Sequence, residues 1–164
     1  MIAAYIIYII LSILCAAFFS GSETAFTSIK FIKLIHLVEK KDRAALLVHN
    51  ILKRPDKLLA TTLVGTNISV VIASAFATNL ALQFNQLAAS TIATCFLVPL
   101  VLVFGEIIPK TVSQNKSNQV CLKIAPLVSF SQKILSPIVI IISSITTSLL
   151  NFITPRTIKK NPFL

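Results

Sequence analysis

The chain has very few charged residues for its length. Only 15 basic and 5 acidic residues occur among 164, a charged fraction of 12%, whereas soluble domains carry about 25%. Apolar residues make up 55% of the chain. This composition excludes an ordinary soluble domain, and the length allows a few membrane spans but no catalytic domain beside them.

Other residue types are scarce as well. Tryptophan is absent and only two tyrosines occur. The basic residues lie between apolar blocks, so the net charge of +10 is explained by membrane topology and not by binding to nucleic acid. The three cysteines have neither CxxC spacing nor a nearby histidine, which argues against a zinc site or a disulfide framework. We interpret them as small apolar packing residues: Cys15, Cys95 and Cys121.

Long stretches contain no charge at all. The apolar run 2–19 is long enough to cross a bilayer, and it lacks the basic start and the cleavage site of a signal peptide. Residues 58–105 are also uncharged; as one helix they would be about 72 Å long. They therefore predict two spans, from about Lys57 to Leu82 and from about Leu87 to Lys110.

The basic residues predict the orientation, because short loops rich in Lys and Arg stay in the cytoplasm. Segment 30–57 carries eight of them, so we expect it inside and the N-terminus outside. Two further crossings return the chain to the inside near Lys110. The sequence thus predicts a multi-pass protein of the cell (inner) membrane with a cytoplasmic C-terminus.

The uncharged stretch 134–155 has two interpretations. Basic residues lie on both sides of it, and both groups should be cytoplasmic: Lys133 before it, and Arg156, Lys159 and Lys160 after it. A segment that lies in the interface, or enters the membrane and returns, satisfies both groups. The alternative is a fourth span with its basic tail outside.

Segment 28–57 is predicted to be a cytoplasmic helical hairpin. Its first part has the pattern of a basic amphipathic helix on a membrane surface, with apolar Ile32, Leu34, Ile35 and Val38 on one side and Lys30, Lys33, His36 and Lys40 on another. A second helix, 43–54, ends before Pro55, and Asp56 is placed to cap the next span. We expect His36 and His49 at the surface of this hairpin and not at a metal.

Two acidic residues, Glu23 and Glu106, lie at or near the level of the spans. A carboxylate inside a membrane costs about 2.5 to 3.5 kcal/mol, so each is a functional candidate. The alternatives are structural: Glu106 pairs with Lys110 four residues later, and Glu23 is the hydrated end of the first helix.

One polar group from each span falls in the inner half of the membrane. Helix rise places Ser20, Asn67 and Glu106 about 15, 15 and 6 Å from cytoplasmic charges. Pro109 has no N–H for the carbonyl of Gly105, which leaves that oxygen free beside Glu106. Hydroxyl, amide, carbonyl and carboxylate oxygens suit a hard cation such as Mg²⁺ or Na⁺.

The second span carries two stripes on opposite sides, at about 100° per residue. A stripe of small residues allows close helix approach, within one chain or across a dimer: Gly65, Ser69, Ala73 and Ala77. A polar stripe on the other side either lines an ion path or bonds back to its own helix: Asn67, Ser74 and Thr78.

Three motifs, FFSGSETAF (18–26), LVGTN (63–67) and FGEIIPK (104–110), resemble the signature of the transmembrane domain of the CorC and cyclin M (CNNM) magnesium transporter family. The resemblance covers about residues 5–155. It implies an all-α integral membrane protein with three transmembrane helices, a cytoplasmic helical hairpin and a juxtamembrane or re-entrant helical segment, assembled as a homodimer in the lipid bilayer. It also implies Mg²⁺ export coupled to Na⁺ entry.

The resemblance implies an ion site as well, held by matching residues of the motifs: Ser20, Ser22, Asn67, Gly105 and Glu106. The role of Glu23 stays open. Members of the family continue into cytoplasmic CBS modules that bind nucleotide, which this sequence does not contain. We therefore expect residues 1–155 to form the ion-transport domain and 156–164 to begin a linker.

Three hypotheses follow. The first is a secondary transporter that exports Mg²⁺, with Na⁺ as the driving ion. The second is a Mg²⁺-permeable channel that uses the same oxygens, and the third is a membrane anchor or ion sensor that only dimerises. We expect no enzyme, since neither a histidine nor a second acid accompanies Ser20 or Ser22 inside the membrane.

Overall fold

The computed structural model describes residues 2–83 and 89–140, and these residues form helices without any strand. The all-α class predicted from the sequence is confirmed. In chain order the elements are α1 (Ile2–Thr27), α2 (Phe31–Glu39), α3 (Arg43–Leu52), α4 (Pro55–Leu82), α5 (Ala89–Leu100), the π-helical segment π1 (Val101–Ile107), α6 (Ile108–Asn115) and α7 (Ser117–Ile134).

Three helices are long and apolar enough to cross a membrane: Ile2–Thr27, Pro55–Leu82 and Ser90–Asn115, the last combining most of α5 with π1 and α6. At 1.5 Å per residue each is about 40 Å long, which exceeds a hydrocarbon core of about 30 Å. Large apolar side chains point outward from all three spans, as lipid contact requires. The predicted multi-pass arrangement is confirmed.

A first core, the hairpin core, lies where α1 ends. Phe26 of α1 is buried there against α2, α3, the start of α4 and α7. Its other fully enclosed members are small or medium apolar residues, including Leu34, Val48, Leu58, Cys121 and Ala125. The backbone N–H of Lys30 donates to Asn118 Oδ1 at 3.0 Å. The hairpin and α7 therefore form one packed layer at the end of the first span.

A second core, the span core, lies between the membrane helices. It is formed by Ala73, Ala77 and Ala81 of α4 with Ala93 and Leu97 of α5 and Val101 of π1, and Ile9 and Ile13 of α1 pack against it. A Cβ added to Gly65 would lie 2.6 Å from ring atoms of Phe19. The small-residue stripe of α4 is thus used for packing within the chain, so it is not the surface of a dimer.

Local sequence explains the hairpin ends. The side chain of Asp42 caps α3 by accepting hydrogen bonds from the N–H groups of Ala44 (2.8 Å) and Ala45 (3.0 Å). The prediction that Asp56 caps the second span is wrong, because α4 begins one residue earlier, at Pro55. Asp56 instead lies in the first turn, where a negative charge still favours the helix dipole.

The histidines and cysteines only partly follow expectation. His36 is exposed beside Glu39, whereas His49 is half-buried and its Nδ1 is enclosed without a hydrogen-bond partner, so the surface prediction is wrong for His49. Cys121 packs in the hairpin core, and Cys15 and Cys95 are exposed. Burial raises the pKa of the Cys121 thiol to about 12.

The chain after the third span forms a helix, as the family resemblance implied. α7 covers 117–134 and packs on α1 and α3, so the basic residues Lys123 and Lys133 lie on a helix of the hairpin layer. Residues 141–155 of the stretch with two interpretations, and the expected linker 156–164, lie outside the described residues.

Candidate ion site

The third span is not a regular α-helix at the predicted site. Residues 101–107 form π1, and the N–H of Ile108 donates to the carbonyl of Val103, five residues back. Pro99 and Pro109 stand two residues outside either end of π1. Since proline has no N–H, Pro109 donates to neither the Gly105 nor the Phe104 carbonyl. π-helical turns of this kind occur often at functional sites.

The first and third motifs meet in space. A Cβ added to Gly105 would lie 3.6 Å from the Cβ of Ala16. A Cβ added to Gly21 would lie 3.4 Å from the Cβ of Pro109 and 3.0 Å from Ser113 Oγ. α1 and the third span therefore run parallel, in the same direction, and α1 packs closely along π1 and α6.

Both predicted serines of α1 are buried, and Ser20 lies on the face of α1 that meets the third span. Ser20 is 2% exposed, and its Oγ has no hydrogen-bond partner. It lies one helical turn beyond Ala16 on the same face, level with the stretch from Gly105 to Pro109. The Ser22 hydroxyl, in contrast, donates to the carbonyl of Phe18 in its own helix. An enclosed hydroxyl without a partner costs free energy, so Ser20 has unused capacity for a ligand.

Glu106 is half-buried in π1, directly after the buried Gly105. Within residues 2–83 and 89–140, the one close approach of a carboxylate to a basic side chain is that of Glu39 to His36 Nδ1 (3.8 Å). The structural alternative of a bridge from Glu106 to Lys110 is therefore not realised. Glu23, half-buried on α1, likewise has no cationic partner in the part of the chain that the structure describes.

Asn67 and its polar stripe are placed differently from the serines. Asn67 and Ser74 are exposed on α4, and Thr78 is half-buried. Ser69, on the opposite stripe, donates to the carbonyl of Gly65 at 2.8 Å, but among the described residues neither Ser74 nor Thr78 forms such a bond. The structure therefore brings the first and third motifs together at Gly21, Gly105 and Pro109, with Ser20 buried on the same face of α1. Ser22 lies about 200° around α1 from Ser20, and the Asn67 side chain is exposed.

The donor types limit the chemistry of this site. The described ranges contain no cluster of three or more His, Cys, Asp or Glu residues that could hold a metal ion. What the contact offers is one carboxylate, hydroxyls and helix carbonyls, which are oxygen ligands for hard cations and not for soft metals. A transported ion suits such a site better than a tightly held structural metal.

Sequence reasoning missed two features of the contact. One is π1 itself, for which the pair Pro99 and Pro109 was the available signal, because prolines weaken the regular helix on both sides. The other is Ser113, which is 5% exposed and stands four residues after Pro109 on the same face of α6. A spacing of four residues places Ser113 on the same side of the helix as Pro109, toward α1.

Comparison with known proteins identifies relatives of the chain. The family description "Cyclin M transmembrane N-terminal domain" (CNNM) matches residues 6–163. The UPF0053 inner membrane protein YfjD of Escherichia coli (strain K12) is 32% identical over 142 residues, which cover 87% of this chain and 33% of the relative. A UPF0053 protein of Haemophilus influenzae is 33% identical over 147 residues (90% and 35%).

A third relative, the UPF0053 protein sll1254 of Synechocystis, is 31% identical over 145 residues, which cover 88% of this chain and 41% of the relative. The chain thus spans between a third and two fifths of the length of these relatives. It aligns with them over nearly all of its own length, and the family match includes all three motifs. The chain belongs to the cyclin M transmembrane domain family.

Proposed function

We propose that this chain is the ion-carrying membrane domain of a homodimeric secondary transporter of the cell (inner) membrane, which exports Mg²⁺ in exchange for Na⁺. The residues proposed as its ion ligands are Ser20, Ser22, Asn67, Gly105 and Glu106, of which Asn67 is exposed in this structure. The family membership supports a membrane transport domain, and the E. coli relative is described as an inner membrane protein.

The observation that carries the proposal is the buried contact between α1 and π1. Ser20, whose buried hydroxyl has no partner, lies one turn after Ala16, the residue of α1 that packs on Gly105. Pro109 withholds a donor from the carbonyls of π1, and Glu106 in π1 has no cationic partner among the described residues. All of these groups supply oxygen, as Mg²⁺ requires. One carboxylate provides attraction without the several charges of a high-affinity trap, so an ion can also leave.

The outward direction of Asn67 supports a dimer. An amide on the exposed side of a membrane helix needs a polar partner. Since the small-residue stripe is occupied by α1 and α5, a second copy would approach α4 from the exposed side, where Leu63 and Val71 are 61% and 66% exposed. We place the basic hairpin in the cytoplasm because of its eight Lys and Arg residues.

The proposal is tested by flux in proteoliposomes with Mg²⁺ inside and Na⁺ varied outside. The change is Glu106→Gln, which keeps the shape and removes the charge. We expect Na⁺-dependent Mg²⁺ efflux to fall by at least about tenfold, since one lost charge interaction of about 1.4 kcal/mol has this effect on occupancy. Mg²⁺ should also raise the thermal midpoint of the wild type but not of the variant.

Glu39→Gln is the matched control, because Glu39 is exposed and lies in the hairpin, away from the site. Its flux should equal that of the wild type. Unchanged efflux in Glu106→Gln would refute the site. Mg²⁺ flux that ignores the Na⁺ gradient would indicate the channel, and stabilisation by Mg²⁺ without any flux would indicate the anchor or sensor.

A further inference from the structure

Helix α2 has an apolar face that nothing in the described chain covers. Phe31, Ile32 and Ile35 are 52%, 88% and 40% exposed. At about 100° per residue these three side chains fall within an arc of about 100°. Leu34, Leu37 and Val38 occupy the neighbouring arc and pack into the hairpin core. The exposed apolar face is therefore separate from the face that holds α2 in the fold.

A basic arc lies on the other side of this apolar face. Lys33, His36 and Lys40 lie about 140° to 200° around the helix from Phe31. Four lysines and one glutamate between Lys30 and Lys41 give this short segment a net charge of +3. The glutamate, Glu39, contacts His36, and among the described residues no carboxylate pairs with Lys30 or Lys33.

The two arcs meet in an open groove. Lys30, Phe31, Ile32, Lys33 and His36 line a surface depression of about 650 Å³. Three residues separate the end of α1 at Thr27 from Phe31, a reach of about 10 Å. Because α1 crosses the bilayer, this groove lies close to the lipid headgroups at the end of that span.

We propose that the outer face of α2, formed by Lys30, Phe31, Ile32, Lys33 and Ile35, binds anionic phospholipids of the bilayer that the three spans cross. The apolar side chains enter the boundary of the acyl region, and the two lysines hold the lipid phosphate. The order of the arcs around α2, from protein core to apolar face to cationic face, fits a helix lying in the interface. The proposal depends on α1 crossing a membrane and is independent of transport.

The charge pattern favours anionic over zwitterionic lipid. A lysine close to an anionic bilayer surface gains attraction that corresponds to about a fivefold change in partition. Zwitterionic headgroups carry their own cation, which offsets most of this gain. Two unpaired lysines at one groove should therefore enrich anionic lipid several-fold around α2.

The absence of tryptophan from the chain makes a direct measurement possible. Ile32→Trp introduces a single indole at the most exposed position of the face, where no packing is disturbed. The full chain is placed in nanodiscs of mixed phosphatidylcholine and phosphatidylglycerol. Bromine, which quenches indole fluorescence on contact, is carried on the acyl chains of one lipid or the other at the same mole fraction.

We expect bromine on phosphatidylglycerol to quench several-fold more strongly than bromine on phosphatidylcholine. Adding Lys30→Gln and Lys33→Gln should bring this ratio close to one. The matched control, Lys116→Gln with Lys123→Gln, removes the same charge from exposed positions at the start of α7 and within it and should leave the ratio unchanged. Inorganic phosphate at constant ionic strength should also leave it unchanged.

Several results would overturn the proposal. No quenching by either lipid would mean that another protein surface, such as a second copy, covers the face. Equal quenching by both lipids would show that α2 has no preference for anionic lipid. If the control pair lowered the quenching ratio as much as Lys30→Gln with Lys33→Gln, the preference would come from the total charge of the protein and not from this groove. If inorganic phosphate brought the quenching ratio close to one, the groove would bind the free anion and not the lipid.

Discussion

Gly65 of α4 lies against the ring of Phe19 on α1, and we expect even one methyl group to disturb this contact. In Gly65→Ala the new Cβ would lie 2.6 Å from three ring atoms of Phe19. Unstrained carbon atoms are about 3.5 to 4.0 Å apart, so the two helices or the ring must move by about 1 Å. Phe19 directly precedes Ser20, so this movement also reaches the candidate ion site.

Two opposing contributions decide the size of the effect. Replacing glycine by alanine within a helix favours the helix by about 1 kcal/mol. Overpacking of a filled contact costs about 1 to 3 kcal/mol. The free energy of unfolding should therefore fall by up to about 2 kcal/mol, and the thermal midpoint by up to about 8 °C for a chain of this size.

Gly105→Ala is the matched control. A Cβ at position 105 would have its closest contacts at 3.5 Å from Val101 Cγ1 and 3.6 Å from Ala16 Cβ, which is ordinary van der Waals distance. Thermal unfolding in one detergent, followed by circular dichroism, should show a loss for Gly65→Ala and a gain of up to about 1 kcal/mol for Gly105→Ala. Combining Gly65→Ala with Phe19→Leu should recover part of the loss.

The reasoning would be refuted if Gly65→Ala raised the thermal midpoint, as a glycine in open space would do. It would also be refuted if the changes at Gly65 and Phe19 were additive. Residues in contact are expected to show an interaction energy of about 0.5 to 3 kcal/mol in a double-mutant cycle. Additivity would mean that the ring does not lie on the glycine.

Two further predictions concern the hairpin layer. Asp42→Ala should lower the free energy of unfolding by about 0.5 to 2 kcal/mol, because two N–H groups of α3 lose their cap. Asp42→Asn should keep most of that stability. Amide hydrogen exchange of α3 measures the difference, and equal exchange in both variants would contradict the cap. In a Cys15→Ser, Cys95→Ser background, Cys121 should be alkylated about a thousandfold more slowly than an ordinary thiol at pH 8, because burial raises its pKa from 9.0 to about 12. The contribution of this raised pKa to the free energy of unfolding is fully present below pH 9 and is lost as the pH rises toward 12. Rapid alkylation without denaturant, followed by mass spectrometry, would contradict the burial.

The spans could be predicted from the sequence because their signal is local. A stretch without charge that is long enough to cross hydrocarbon has few alternatives, so α4 lies close to its predicted limits. α1 begins with the predicted apolar run and continues eight residues beyond it, to Thr27. The basic amphipathic pattern of α2 was visible for the same reason. The first and third motifs lie together in the structure, where Gly21 packs on Pro109, and the family resemblance required this proximity of an ion site shared by both motifs.

Other features depend on neighbours that a sequence does not display. The small stripe of α4 fits either a dimer or an internal contact, and only the position of Phe19 decides between them. The exposure of Asn67 follows from that choice. The family resemblance implied a helix after the third span but not that it packs on α1 and α3, although Cys121, Ala125 and Val128 recur at the spacing of a buried helix face.

The π-helical turn determines where the third span can lose a residue. A π turn amounts to one residue inserted into an α-helix, and its wider turn absorbs that residue. Removing a single residue between 101 and 107 would therefore let the span become regular while Pro109 and Ser113 still face Gly21. The same deletion in a regular part of the span would rotate everything after it by about 100° around the axis, and the α1 contact would be lost. Single-residue deletions in this span should therefore be tolerated best within π1.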